Sequence, residues 1–428
     1  MRTQLCFAAV SAAASFLVNA APANTIHERS VDFNWGSTKV RGINIGGWLV
    51  LEPFITPSIF QKYSSPEWPV VDEWSLCEKI GQQSCAAALK SHWDSFVTLN
   101  DFWKIKNAGF NIVRIPVGAN RYWSYVQPWG PYAQGAAPYL DAAIDWARQT
   151  GLKVIIDLHG APKSQNGFDH SGHKAAFPSW GDADSLSYTH AVLKQLEEKY
   201  AKPEMQDVVV AIQFLNEPFL SKLDPEMVKL FYRDAFYNLR EVSNTPAMLH
   251  DGFLDPSWLN GFLTPQDNNA QNVIVDHHEY QIFDSGLVGM SVDQHLSLTC
   301  NAVNNYAGSD KWTIVGEWSG ALTDCAPQLN GFGSGSRMEG NFPGSHYIGS
   351  CAGKSGPVSS WSQDWKDSVR RYIEVQLDAF ETKTQGWVFW NFKTEGSAGE
   401  WDVFQLLDNG VFPQPLGDRK FGKYCHNF

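Results

Sequence analysis

The chain has 428 residues and a mass of 47.8 kDa, with 43% hydrophobic and 18% charged residues. That balance rules out disorder as the main state and allows either several small domains or one large α/β barrel. A formal net charge of −12, a pI of 5.4 and no run of Lys or Arg longer than two argue against a nucleic-acid backbone or an anionic membrane surface as partner. Aromatic residues reach 14%, with 18 Trp against 6 Met, more flat amphipathic surface than a core requires and suited to stacking on sugar rings.

Met1 and Arg2 precede a mostly apolar stretch over residues 5–18, followed by Val18-Asn19-Ala20 and Ala21-Pro22. A basic start, a short apolar core and small residues at a cleavage point read as a secretory signal over residues 1–20, too short for the roughly 18 to 20 apolar residues that span a bilayer. Residues 21–30 are polar and irregular and read as a short propeptide ending near Glu28-Arg29, which leaves residues 31–428 as one continuous domain. The expected location is outside the cell or in a cell wall. Once Cys6 leaves with the signal, six cysteines remain: Cys77, Cys85, Cys300, Cys325, Cys351 and Cys425. An even number in a secreted chain favours disulfides. Composition does not choose their pairing, although Cys77 with Cys85 would make a short local loop. No CxxC or HxxxH spacing occurs, so no metal site is expected, and no Asn-x-Ser/Thr sequon occurs either.

In chain order, apolar β-rich runs occur at residues 40–45, 111–117, 154–158, 208–215, 248–253, 273–283, 312–318 and 387–392. Amphipathic helical patterns lie between most of them, at 92–106, 139–149, 185–200, 225–242, 288–306 and 362–383, with a weak one after residue 253. Eightfold strand-helix alternation predicts a single (β/α)8 barrel with loop insertions at its C-terminal face. No GxGxxG or GxxxxGK[ST] follows a strand, which removes the usual nucleotide-binding reasons for an open sheet, and no cofactor is expected.

Such barrels carry their chemistry at the C-terminal strand ends. Those ends hold Glu52, Arg114, His159, Asn216-Glu217, His278, Tyr280, Glu317 and Trp390, mostly polar groups where a structural strand would have Val or Ile. Glu217 and Glu317 end strands four and seven, on opposite sides of the mouth, where two carboxyls can flank a glycosidic bond. Glu217, followed by Pro218, reads as the acid/base, and Glu317 as the nucleophile, with Arg114 holding it ionised. Asp157 and Asp276 lie inside strands and read as structural partners.

The block Phe214-Leu215-Asn216-Glu217-Pro218 resembles the Asn-Glu-Pro signature of glycoside hydrolase family 5. Further matches run from Arg41-Gly42-Ile43-Asn44-Ile45-Gly46-Gly47-Trp48 through Arg114-Ile115-Pro116-Val117, Asp157-Leu158-His159-Gly160-Ala161-Pro162 and Asp276-His277-His278-Glu279-Tyr280 to Gly316-Glu317-Trp318. They cover residues 39 to about 415 and are similar to the fungal secreted exo-1,3-β-glucanases of that family. The resemblance implies net retention, with Glu217 as acid/base and Glu317 as nucleophile. It implies a hydrogen-bonding shell of Arg114, His159, Asn216, His278 and Tyr280, with Glu52 and Trp390 as ligands of the terminal glucose. Phe168 and Phe283 would clamp the entrance. Disulfides Cys300–Cys425 and Cys325–Cys351 are implied too, leaving Cys77 for Cys85.

The expected partner is a β-glucan chain, acted on by a monomer. Two other functions share these residues: an endo-acting β-glucanase or mannanase of the same family, and a non-catalytic glucan-binding wall protein. Lys163 stands where relatives often have Gly, and His170 and His173 lie in the same loop. Of the twelve His, only His159 and His278 are assigned functions, His277 being expected to face the barrel wall. Trp93, Trp103 and Trp146 are expected to be core or helix-packing residues.

Overall fold

Eight parallel strands run β1 (Val40–Asn44), β2 (Ile112–Gly118), β3 (Lys153–Gly160), β4 (Val209–Gln213), β5 (Ala247–His250), β6 (Val273–Glu279), β7 (Trp312–Trp318) and β8 (Gly386–Phe389). They pair in chain order into a closed barrel, β8 returning to β1 in the register Val40↔Gly386 to Ile43↔Phe389. The computed structural model describes residues 31–118 and 130–425, so the expected signal and propeptide lie outside the described residues. No helix among the described residues is long and apolar enough to cross a membrane.

Side-chain alternation along the strands builds two apolar layers. Ile112, Ile155, Val210, Met248, Ile274, Ile314 and Val388 meet inside the barrel, above Trp35, whose indole N–H donates to the Val210 carbonyl at 3.2 Å. The intervening residues, such as Val113, Ile115 and Val275, join the larger core under the surrounding helices. His277 follows the outer set and bonds Asp251, while His278 faces the mouth.

The helices differ from the sequence pattern at three places, each with a local cause. One amphipathic period spans residues 92–106, yet the chain forms Gln82–Phe96 and Leu99–Asn107, because Thr98 and Asp101 exchange capping bonds that start a new helix. Likewise Ser291 and Gln294 cap Val292–Tyr306 and separate it from a short turn at Ser285–Val288. Trp103 is 42% exposed and belongs neither to the core nor to the packed face of its helix: Phe102 and Ile105 form that buried stripe, and Trp103 lies off it. Trp93 is buried, and Trp146 stacks on buried Trp48. Between β5 and β6 stands the short 3-10 turn Pro256–Leu259 in place of a full helix, and the two strands still pair from Ala247↔Val273 to His250↔Asp276. Short helices at Pro57–Tyr63, Glu73–Ile80 and Val403–Asp408 carry too few turns to show a period. Three disulfides join Cys77 to Cys85, Cys300 to Cys425 and Cys325 to Cys351.

Candidate active site

Above the apolar layers the barrel interior turns polar, centred on the fully buried Arg114 of β2. Its Nε donates to Gln213 Oε1 at 2.8 Å, its Nη1 to Asn44 Oδ1 and Glu317 Oε1 at 2.9 Å each, and its Nη2 to Asn216 Oδ1 at 2.6 Å. Asp157 Oδ2 lies 3.1 Å from Nη2 and also accepts from His159 Nδ1 at 2.7 Å. A buried guanidinium with this many oxygen partners is compensated, and it fixes side chains from β1, β2, β3, β4 and β7 at once. Space for Asp276 comes from Gly316, where a Cβ would stand 1.9 Å from Asp276 Oδ1. Asp157 and Asp276 are both internal hydrogen-bond partners, as their strand positions suggest.

Glu217 and Glu317 face each other over this layer, each 5% exposed. Glu217 sits at φ 45°, in the left-handed region, directly before a proline that favours extended backbone, so its placement overrides local preference. Its Oε1 lies 2.7 Å from His278 Nδ1, and the same nitrogen lies 3.4 Å from Glu317 Oε2. The Tyr280 hydroxyl donates to Glu317 Oε2 at 3.0 Å.

Burial lifts both carboxyls above the usual range. For Glu217 the next contribution is the charge of Glu317, which lifts it further. For Glu317 it is the Arg114 guanidinium, which opposes the burial, helped by the Tyr280 hydroxyl. The proton shared by the pair therefore belongs on Glu217. Burial keeps the His278 imidazole neutral, its pKa well below the usual value, yet both its nitrogens face carboxyl oxygens, Nε2 lying 3.1 Å from Asp276 Oδ2. A neutral ring has one N–H, so one carboxyl must supply the second proton. We assign it to Glu217, because Asp276 Oδ2 already accepts from Gln213 Nε2 at 2.7 Å and faces Arg114.

These groups line a cavity of about 590 Å³ together with Glu52, Phe54, His159, Trp390 and Trp401. Buried polar atoms around it without a partner are Glu52 Oε1, His159 Nε2, His170 Nδ1, Asn216 Nδ2 and Trp401 Nε1. Unpaired buried donors and acceptors are costly, and a polyhydroxylated ligand would satisfy them. Trp390 is buried with its ring parallel to that of His159, centroids 5.5 Å apart. Phe168 and Phe283, 37% and 45% exposed, stand at the entrance. All eleven expected catalytic and binding residues are thus gathered in or beside one cavity. Lining residues that the sequence did not single out as site residues include Asp169, His170 and Lys174 of the loop after β3, Phe219 and Phe253, and Asn330 and Arg337 after β7. They sit on loops, where no strand alternation marks which residues face inward.

Glu217, His250 and His278 are the one group among the described residues whose donor atoms approach within 4.8 Å as metal ligands would. His278 serves Glu217 and Asp276, and His250 Nδ1 accepts the Gly252 N–H at 2.8 Å, while His250 Nε2 is buried without a partner.

A closed (β/α)8 barrel with two buried carboxyls facing across its mouth defines a glycoside hydrolase. Residues 77–331 match the cellulase model of glycosyl hydrolase family 5. The chain is 42% identical over 397 residues to a glucan 1,3-beta-glucosidase of Yarrowia lipolytica, covering 92% of this chain and 93% of the relative. To the glucan 1,3-beta-glucosidase of Blumeria graminis it is 45% identical over 404 residues, covering 94% and 92%. The rutinosidase from Aspergillus niger shares the fold, with a TM-score of 0.70 at 20% identity over 89% of this chain and 99% of that one. The chain belongs to glycosyl hydrolase family 5.

Proposed function

We propose that the protein is a retaining exo-acting hydrolase that releases glucose from the non-reducing end of 1,3-β-glucan, with Glu217 as acid/base and Glu317 as nucleophile. One observation carries the mechanism. Because His278 Nδ1 is 2.7 Å from an oxygen of Glu217 and 3.4 Å from one of Glu317, those oxygens are separated by no more than the sum, about 6 Å. Retaining pairs stand about 5 to 5.5 Å apart, whereas inverting pairs need roughly 6.5 to 9.5 Å to admit a water. In the first step Glu317, whose ionised form Arg114 and Tyr280 favour against the effect of burial, attacks the anomeric carbon while Glu217 gives its proton to the leaving oxygen. In the second, Glu217 takes a proton from water, the water oxygen bonds the anomeric carbon, and Glu317 leaves.

Glu52 and Trp390 both line the cavity, and a role for them in closing it behind a terminal sugar would fit an exo mode. The relatives named above as glucan 1,3-beta-glucosidases support the linkage. Three disulfides and the signal-like N-terminus support secretion into an oxidising compartment. Product analysis over time on laminarin tests the reading: glucose should appear from the first sample, with the β-anomer formed first by NMR. A ladder of oligosaccharides before glucose would sink the exo mode, and an α-anomer would sink retention. Turnover that persists in Glu317→Gln would remove Glu317 from its role.

A further inference from the structure

Glu217 has two carboxyl oxygens, and His278 holds only Oε1. The other, Oε2, lies 3.3 Å from His170 Nε2. His170 belongs to the 3-10 turn Asp169–Ser171 in the loop after β3, on the entrance side of the cavity, and its Nδ1 is buried without a partner. The turn is held in place. Ser171 Oγ lies 2.7 Å from Ser164 Oγ and donates to the Phe168 carbonyl at 2.8 Å, and the Gly172 carbonyl accepts from the Tyr132 hydroxyl at 2.9 Å. At the strand end, Gly160 lets the turn approach so closely that a Cβ there would stand 2.2 Å from the Ser171 carbonyl oxygen. A side chain on so anchored a turn has a defined position, unlike one on a free loop tip.

We propose that His170 is a positioning residue for the acid/base: its Nε2–H steadies Oε2 of Glu217 from the entrance side, so that the carboxyl is fixed between two imidazoles. This rests on the assignment of Glu217 as acid/base. When Glu217 carries its proton, His278 Nδ1 accepts it from Oε1 and His170 donates to Oε2. When Glu217 has given the proton away, the same His170 N–H stabilises the carboxylate, which must then take a proton from water. Burial keeps the His170 ring neutral, with His159 and Arg114 opposing its charge in the same direction, so it acts as an N–H donor and not as a second cation. The ring also faces those of His159, centroids 5.3 Å apart, and Phe168, 5.5 Å apart. The charged groups around Glu217 are Glu317, Arg114, Asp276 and Asp157, with Glu52 nearby, and none of them is altered by a change at residue 170.

The test compares native enzyme, His170→Ala and His170→Gln on laminaribiose and on dinitrophenyl β-glucoside, whose leaving group needs no proton. His170→Ala should lower kcat/KM on laminaribiose roughly three- to ten-fold, the range of one neutral hydrogen bond, and spare it on the activated glucoside. On that glucoside kcat and KM should fall together, because the glycosyl enzyme accumulates when its base is poorly held. The basic limb of kcat/KM should move up by about half to one pH unit, since an unsupported carboxylate holds its proton more tightly. His170→Gln, which keeps an N–H donor, should recover most of both effects. Equal losses on the two substrates with a superimposable pH profile would overturn the proposal, as would a Gln variant no better than Ala. A fully folded Glu217→Ala control, checked by circular dichroism, separates the two levels. If azide fails to rescue it on the activated glucoside, the acid/base assignment itself has failed. If azide rescues it and His170→Ala behaves as wild type, only the role of His170 has.

Discussion

Arg114 and the Tyr280 hydroxyl both bond Glu317, whereas Glu217 lies between imidazoles, so the two carboxyls should respond differently to removal. Glu217→Ala should lose activity on poor leaving groups yet still form the glycosyl enzyme from activated aryl glucosides, with azide restoring turnover. On the proposed roles Glu317→Ala lacks the attacking group and should show no burst on any glucoside. Stopped-flow burst measurement decides between this division and equal, unrescuable losses in both. Glu52 is a second case: its Oε1 is buried without a partner, and burial together with the charges of Glu317, Asp169 and Glu217 holds its carboxyl well above the usual range. Glu52→Ala should lower kcat/KM on laminarioligosaccharides by about 10²-fold, a loss equivalent to roughly 3 kcal/mol of transition-state binding, with the fold intact. Glu52→Gln, which keeps the shape and polar ends, should lose less. Arg114, His159 and His278 are legible in the sequence because a polar side chain inside an apolar strand is out of place unless it is used. His170 is not: its aim is set by the Ser164–Ser171 contact and the close approach to Gly160, and no local period encodes them.

At the scale of elements, alternation on β6 puts His277 and His278 on opposite faces of the strand. His278 stays neutral in the mouth, while His277 Nδ1 lies 2.5 Å from Asp251 Oδ2 and its Nε2 lies 3.6 Å from Glu279 Oε2. Burial lowers the His277 pKa, but the two carboxylates more than offset this and raise it to about 10. A raised folded value gives a stabilisation fully present below the unfolded value of about 6.5, because between the two values the folded state holds a proton that the unfolded state has lost. The stability difference between wild type and His277→Gln should therefore be largest below about pH 6.5 and shrink as pH rises toward 10. Urea titrations at pH 6, 8 and 9.5 measure it, and a difference growing with pH would refute the pairing. The same strand was readable from sequence as one long run over residues 273–283. Its true end at Glu279 was not, because Gln281 and Ile282 continue the apolar alternation while bonding and packing beyond the sheet. Helix breaks at Thr98 and Ser291 are written in the sequence as capping boxes, but the amphipathic period runs straight through them.

For the whole molecule, strand-helix alternation and the polar strand ends were enough to anticipate the barrel and the layer that carries the cavity. Loops after β3 and β7, which shape the entrance, were not legible, since their conformation depends on contacts such as Arg337 with Asp324 and Asn330. Cys300–Cys425 spans a sequence separation of 125 residues and ties helix Val292–Tyr306 to the C-terminal segment. In the chain-entropy model its loss costs about 5 kcal/mol. Cys300→Ser with Cys425→Ser should lower the melting temperature by about 6 °C while leaving kcat/KM unchanged, because neither cysteine lines the cavity. A calorimetric scan beside a laminaribiose assay checks both halves.

Closure of β8 onto β1 joins residues 40–43 to residues 386–389, near opposite ends of the described chain. A nascent or truncated polypeptide that stops before Gly386 holds seven strands with two raw margins, β1 and β7, each offering a row of unpaired amides to any passing strand. It also lacks Trp390, although it already contains both carboxyls. Such a fragment should associate into inactive aggregates instead of persisting as a smaller, weaker enzyme. Because that final pairing spans almost the entire molecule, ring closure should set the pace of refolding and make it slow and concentration-sensitive.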